Sequence, residues 1–364
     1  MNEKYVEALE QYEMDVISVR KGRGSWICET RNGCRLLKEY RGTVKRLEFE
    51  DEVLGMLDTR GSLRADRYIR NREGSILTTA GDGTRYILKD WFMDRECNIK
   101  DGFEIRQALS RLAMLHSQLR AVEFKEEWSM GSIIAEPLED ELERHNREMQ
   151  RTRNYIRSKR KKSDFELCVI GNYNMFYEQA LEAAQGIRNL WTEENDAGSG
   201  YGALEAAEVR RLSERPVTPD AGNPSGAKAE KPAYLCHGDL DQHHVLMGSN
   251  YTAIIEYNRM HLGIQASDLY RFMRKVMEKH GWNVDLGLSM LDSYERILPM
   301  DRQERTCLYY LFLYPEKYWK QLNFYYNANK AWIPGRNIDK LRSLEEQQQQ
   351  RNSFLRRLEA DCEA

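Results

Sequence analysis

At 364 residues, with a net charge of −3 and 41% apolar residues, the chain is long enough to bury a full core and to form more than one domain. No run of 18 or more apolar residues occurs and the polar start Met1–Asp15 has no apolar centre, so neither a membrane span nor a secretory signal is expected. Seven cysteines, odd in number and without a Cys-x-x-Cys pair, are expected as reduced thiols and argue against a disulfide framework.

The first elements are strands. Val16–Val19 leads into Lys21-Gly22-Arg23-Gly24-Ser25, and Trp26–Thr30 follows, which predicts strand, glycine turn, strand. Backbone amides at Gly22 and Gly24 can approach a phosphate because glycine lacks a Cβ, although Gly-x-Gly alone also marks ordinary hairpins. After the hairpin signal Asn32-Gly33, the run Cys34–Tyr40 predicts a third strand with Lys38 at its apolar centre, a candidate to bind phosphate beside the glycine turn. A helix follows over Arg46–Leu57. Leu47, Leu54 and Leu57 form its inward stripe, and Glu50 falls on that stripe while Glu48 and Glu52 point away. A buried carboxylate needs a partner, which predicts a Lys38–Glu50 ion pair; a solvated acidic helix is the alternative.

Strands and turns dominate to about residue 91, where Arg85–Phe92 reads as the last strand before a hinge; the expected domains are 1–91 and 92–364. Ile105, Leu109, Leu112, Ala113, Leu115, His116 and Leu119 make a helix stripe on which His116 is expected to be structural. A helical insertion over 120–192 follows. Within it, Arg144–Lys162 holds nine Lys or Arg against Glu148 alone, on a helix with Leu142, Met149 and Ile156 inward. Such a face suits an acidic protein, a polyanionic ligand, nucleic acid or simple solubility; its aromatics follow the apolar stripe instead of interleaving with the charges, which disfavours nucleic acid. Tyr173 to Trp191 predicts a second helix paired with it. Residues 193–232 carry four of the 8 prolines and Gly-Ser-Gly, and are expected to form a mobile loop.

The most informative segment comes next. Apolar Tyr234-Leu235-Cys236 leads to His237-Gly238-Asp239-Leu240-Asp241-Gln242-His243-His244, then Val245–Met247, then Ile254-Ile255-Glu256. The apolar flanks read as strands bracketing a loop. Three histidines interleaved with two aspartates could also bind zinc, but neither His-x3-His nor a cysteine pair accompanies them. The arrangement resembles the catalytic loop of aminoglycoside and choline kinases. That resemblance implies an α+β, bilobal, protein kinase-like fold, with a small β-rich N-terminal lobe and a large helical C-terminal lobe, and it makes Asp239 the catalytic base. It places His244 where these kinases carry a metal-binding Asn, and Glu256 where they carry a metal-binding Asp. Both departures touch the metal, because Mg²⁺ is a hard cation wanting oxygens in octahedral geometry and Glu256 displaces its carboxylate by about 1.5 Å. ATP is therefore the expected cofactor, and Mg²⁺ a doubtful one.

Beyond Asn258, Ser267-Asp268 is expected to cap a helix through Leu269, Phe272, Met273 and Val276. Ten aromatics over Tyr309–Trp332 read as core at helical spacing, or as a groove floor, and a terminal helix is expected near Gln347–Leu358. The blocks Arg23-Gly24, Leu36–Tyr40, Arg46–Glu50, Arg153–Arg157, His237–His243, Asp268–Lys275, Tyr314–Lys320 and Lys330–Pro334 together resemble the CotS family of spore coat proteins of spore-forming Firmicutes. They cover most of the chain outside 193–232. The resemblance implies the same kinase-like fold, synthesis in the mother cell, deposition on the spore coat, and other coat proteins as partners. Reaction is implied less firmly: the expectations are a degenerate or weak phosphotransferase, or an active ATP-dependent one acting on a hydroxyl of a sugar, small molecule or coat protein.

Overall fold

The structure is a computed structural model and describes residues 4–22, 24–190, 233–327 and 334–363. Arg23, the proline-rich segment 193–232 and Trp332 lie outside the described residues, and so does the expectation of a mobile loop.

Helix α1 (Lys4–Leu9) precedes an antiparallel sheet built from β1 (Val16–Gly22), β2 (Ser25–Thr30), β3 (Gly33–Glu39), β7 (Arg85–Trp91) and β5 (Tyr68–Ile69) in that order, with β6 (Leu77–Thr79) also on β7. The two hairpins fall where the glycine signals put them, with Gly22 opposite Ser25 and Thr30 opposite Gly33. Ala8, Tyr12, Cys28, Leu37, Tyr86 and Leu88 close a small core over this sheet. Helix α2 (Val44–Met56) starts at Thr43, whose side chain accepts from the Arg46 N–H, and buries Leu47, Phe49, Val53 and Leu54. Its stripe is the expected one, and Glu50 lies on it, 1% exposed.

A second sheet explains how distant segments meet. β4 (Leu63–Ala65) pairs in parallel with β11 (Thr252–Ile254), which pairs antiparallel with β10 (Val245–Met247), which in turn pairs with β8 (Arg95–Glu96). Backbone hydrogen bonds thus tie the His-Gly-Asp segment to the N-terminal part of the chain. The compact units accordingly do not divide at residue 91. One comprises 1–134 with 234–262 and 296–298; the other comprises 135–233, 263–295 and 299–364. Within the first, α3 (Gly102–Arg120) is capped by Asp101 and buries Ile105, Leu109, Leu112, Leu115, His116 and Leu119, the stripe read from the sequence.

The second unit is helical among its described residues. It contains α4 (Leu138–Ser158), α5 (Asp164–Leu190), α6 (Ala266–Lys279), α7 (Val284–Glu295), α8 (Arg302–Leu313), α9 (Glu316–Asn327), α10 (Pro334–Glu346) and α11 (Gln348–Glu363). The helix α6 begins earlier than expected: Gln265 is its N-cap residue, so Ser267 and Asp268 sit inside the first turn, where an acidic side chain still complements the helix dipole. Leu308, Phe312, Tyr318 and Leu322 are buried, and the hydroxyls of Tyr314 and Tyr318 donate to Asn146 Oδ1 and the Val169 carbonyl, both at 3.0 Å. Phe312, Tyr314 and Tyr318 are therefore core, with the two tyrosine hydroxyls satisfied, while Tyr309, Tyr310, Trp319, Phe324, Tyr325 and Tyr326 are half-buried.

The basic face of α4 is partly neutralised. Arg144 pairs with Glu136 and Glu148, Arg147 and Arg188 with Glu143, and Lys159 with Glu166, while the Arg153 guanidinium lies 4.7 Å from the Tyr173 ring centroid. Arg151, Arg157, Arg160 and Lys161 are exposed.

Candidate active site

The site assembles within the first unit from three short pieces of backbone. At the end of the first sheet, Gly22 faces Ser25 across one hairpin, and Ser25 faces Lys38 across the next ladder. The glycine turn and Lys38 are thereby set side by side, as two neighbouring strand ends must be. Gly24 has φ +76, and among the described residues beyond its chain neighbours no atom lies within 4 Å of where a Cβ would stand, so its requirement is conformational.

The loop after β9 (Tyr234–Cys236) supplies the second piece. The imidazole of His237, fully buried, donates from Nε2 to the Ile255 carbonyl at 3.0 Å, leaving Nδ1 to accept from the Asp239 N–H at 3.3 Å. One histidine thus fixes both the loop and the strand end that follows β11. Gly238 is obligatory here: its φ is +84, and a Cβ would stand 2.1 Å from the Arg259 carbonyl oxygen. The half-buried Asp239 is held by this frame. His244 donates from Nδ1 to the Asp239 carbonyl at 2.6 Å, which leaves Nε2 as the ring nitrogen open to a ligand.

Glu256 is the third piece. It sits just beyond β11 with φ 67 and ψ 59, a left-handed conformation that a residue other than glycine adopts at a cost of about 1–2 kcal/mol. Both its carboxylate oxygens accept from Lys38 Nζ at 3.2 Å. Burial works against the Glu256 carboxylate, but the charges of Lys38 and then Lys89 outweigh it and hold its pKa below the usual carboxylate range.

The expected Lys38–Glu50 pair does not form. Arg46, one turn back on the same helix, donates from Nε to Glu50 at 2.6 Å, and the Tyr68 hydroxyl donates to the other oxygen, so the buried carboxylate is satisfied without Lys38. The stripe on α2 correctly makes Glu50 a buried acid; it does not select the cation.

Two residues without any motif belong to this site. Asp66 and Lys89, each 4% exposed, form an ion pair of 2.7 Å, and the Asp66 carboxylate also accepts from the Glu256 N–H. Burial opposes the Lys89 ammonium; its attraction to Asp66 and Glu256 prevails and raises its pKa. The sequence signal for Lys89 is the one that marks Lys38, a lysine inside an apolar strand, here Tyr86-Ile87-Leu88-Lys89.

The donors present do not fit a resident Mg²⁺. Glu256 is committed to Lys38, His244 offers an imidazole nitrogen where Mg²⁺ needs oxygen, and no group of three His, Cys, Asp or Glu side chains is placed to hold a metal ion among the described residues. The zinc alternative has no such group among them either.

No protein-family model matches the chain, and no curated protein matches it by sequence. Solved structures do. The fold is the protein kinase-like fold of aminoglycoside phosphotransferases. An aminoglycoside phosphotransferase from Alicyclobacillus acidocaldarius superposes with a TM-score of 0.76 at 14% identity, over 98% of this chain and 95% of that one. A spectinomycin phosphotransferase in complex with ADP and spectinomycin gives 0.56 at 11% identity, over 94% of each chain. An amicoumacin kinase in complex with AMP-PNP and Ca²⁺ gives 0.52 at 10% identity, over 98% of this chain and 94% of that one. No helix is long and apolar enough to cross a membrane among the described residues.

Proposed function

We propose that this chain is a spore coat protein with a kinase-like fold, a degenerate phosphotransferase of the pseudokinase kind that still binds ATP. The observation that carries the reading is the Lys38–Glu256 pair beside the glycine turn. Glu256 gives its carboxylate to the lysine that phosphates would engage, and His244 gives Nδ1 to the Asp239 carbonyl. A nucleotide arriving here exchanges one anion on Lys38 for another. Its phosphates displace the Glu256 carboxylate beside the glycine turn, where the lack of a Cβ lets a phosphate approach the backbone, and neither contact requires a metal. Synthesis in the mother cell, deposition on the coat and contacts with other coat proteins rest on the CotS-like blocks. The exposed cations Arg151, Arg157, Arg160 and Lys161 provide a surface for an acidic partner.

A second reading keeps the chemistry. Asp239 stands on a loop fixed by His237 and Gly238, as a base for a hydroxyl acceptor requires, which favours an active phosphotransferase. Titration calorimetry with ATP, with and without Mg²⁺, separates the two. Metal-independent binding weakened about tenfold or more by Lys38→Ala supports the first. Binding only with Mg²⁺, with turnover abolished by Asp239→Asn, establishes the second and overturns the first.

A further inference from the structure

The left-handed backbone at Glu256 has to be held by something. Its N–H points at the Asp66 carboxylate and lies 3.2 Å from both oxygens. Asp66 is one residue beyond β4, whose last residue, Ala65, pairs with Ile254 of β11, so the two chain ends leave the ladder side by side. Arg67 is anchored in turn: it donates from Nε to Thr59 Oγ1 at 2.8 Å, and its carbonyl accepts from the Asp90 N–H at 2.8 Å. The charge that Asp66 brings into the interior is matched by Lys89, which stands opposite Leu36 and Tyr68 on the sheet and lies 4.6 Å from the Tyr68 ring centroid. An apolar pair would fill this space without the penalty of two buried charges. What it could not do is accept the Glu256 N–H.

We propose that Asp66 and Lys89 are positioning residues, a buried strut that holds the Glu256 backbone in its left-handed turn and so delivers the Glu256 carboxylate to Lys38. Asp66 supplies the acceptor and Lys89 supplies the opposite charge that offsets its burial. The functional meaning rests on the reading of Lys38 as the phosphate-binding group, but the strut is testable with no nucleotide present.

The readout is the rate at which an amine-directed acylating reagent modifies Lys38 in the folded chain, followed by peptide mass mapping. Glu256→Gln sets the rate for an unpaired Lys38. Asp66→Leu with Lys89→Met leaves no stranded charge and no acceptor, and is expected to raise Lys38 labelling about threefold to fivefold, to the Glu256→Gln level. Asp66→Asn with Lys89→Met also lacks the ion pair but keeps an amide oxygen for the Glu256 N–H, and is expected to label at the native rate. Native-rate labelling in the first double variant, or equally raised labelling in the second, overturns the proposal. Should either variant fail to fold, hydrogen exchange in the native chain decides. The Glu256 amide is expected to exchange at least about 100-fold more slowly than an unbonded loop amide, and exchange at the unbonded rate overturns the strut. Failure of ATP to bind the native chain would remove the nucleotide reading and leave these outcomes unchanged.

Discussion

Each compact unit buries basic side chains, and two of them, Lys89 and Arg351, one from each unit, are compensated differently. Lys89 in the first unit faces a carboxylate, Asp66, at 2.7 Å. Arg351 in the second, 5% exposed, donates to backbone: its Nη2 reaches the carbonyls of Phe312 and Leu313 at 2.7 and 2.6 Å, and its Nη1 reaches Gln179 Oε1 at 2.8 Å. It caps the C-terminal end of α8 with a charge from α11, where the orphan carbonyls and the negative end of the dipole want one. Burial, opposed in part by Tyr270 and Glu278, lowers the Arg351 pKa to about 10, still far above neutrality. One arrangement neutralises a charge to hold a backbone N–H, and the other spends a charge on backbone carbonyls.

The difference is open to measurement. Lys89→Met alone strands the Asp66 carboxylate in the interior and is expected to cost about 3–5 kcal/mol in urea unfolding, with most of it recovered by adding Asp66→Leu. If the single and double variants are equally destabilised, the pair is not the reason for the loss. Arg351→Met strands carbonyls and an amide oxygen but no charge, and should cost less, about 3 kcal/mol. A larger loss than that of Lys89→Met would reverse the ranking.

A third test uses acid. His145 is buried on α4 against Trp319, whose ring lies 3.5 Å away in a stack, with Arg144, Glu141 and Glu148 around it. Burial, then the Arg144 charge, lowers its pKa from 6.5 to about 4. A histidine held neutral contributes stability above its unfolded value, and that contribution is lost as pH falls toward the folded one. The second unit should therefore lose about 2 kcal/mol between about pH 7 and about pH 5, a slope that His145→Phe flattens. An unchanged slope in that variant would assign the acid sensitivity elsewhere. The smallest stability effect is expected at Lys38, whose side chain is 40% exposed: Lys38→Ala should cost at most about 1 kcal/mol, even while nucleotide binding is weakened. Unfolding of the chain by this change would make Lys38 a structural residue.

What was legible in the sequence was whatever is written locally. Glycine turns, the Lys38 strand, the α2 stripe and the His-Gly-Asp loop each depend on residues within a few positions of one another, and all are found. Partner choice was not legible. Glu50 reads as a buried acid, yet Arg46 at one helical turn and Tyr68 across the sheet were as eligible as Lys38, and only packing decides among them. Asp66 is invisible because it carries no pattern and gains meaning from a ladder to residues near 254. The start of α6 was misjudged because Ser267 and Asp268 are good caps in any sequence, whereas the chain turns helical at Gln265.

The parallel ladder between β4 and β11 also sets an order of events during synthesis. Asp66 and Glu256 are 190 residues apart, so at about 5–20 residues per second the ribosome delivers the second roughly 10–40 s after the first. Through that interval the first sheet, Lys89 and Asp66 can already be in place, while the β4 edge waits without its partner strand. A chain interrupted in the long helical stretch would therefore carry a finished ion pair, an exposed strand edge and no Glu256 to seat, and that edge is where a holding chaperone or a neighbouring nascent chain would find it first.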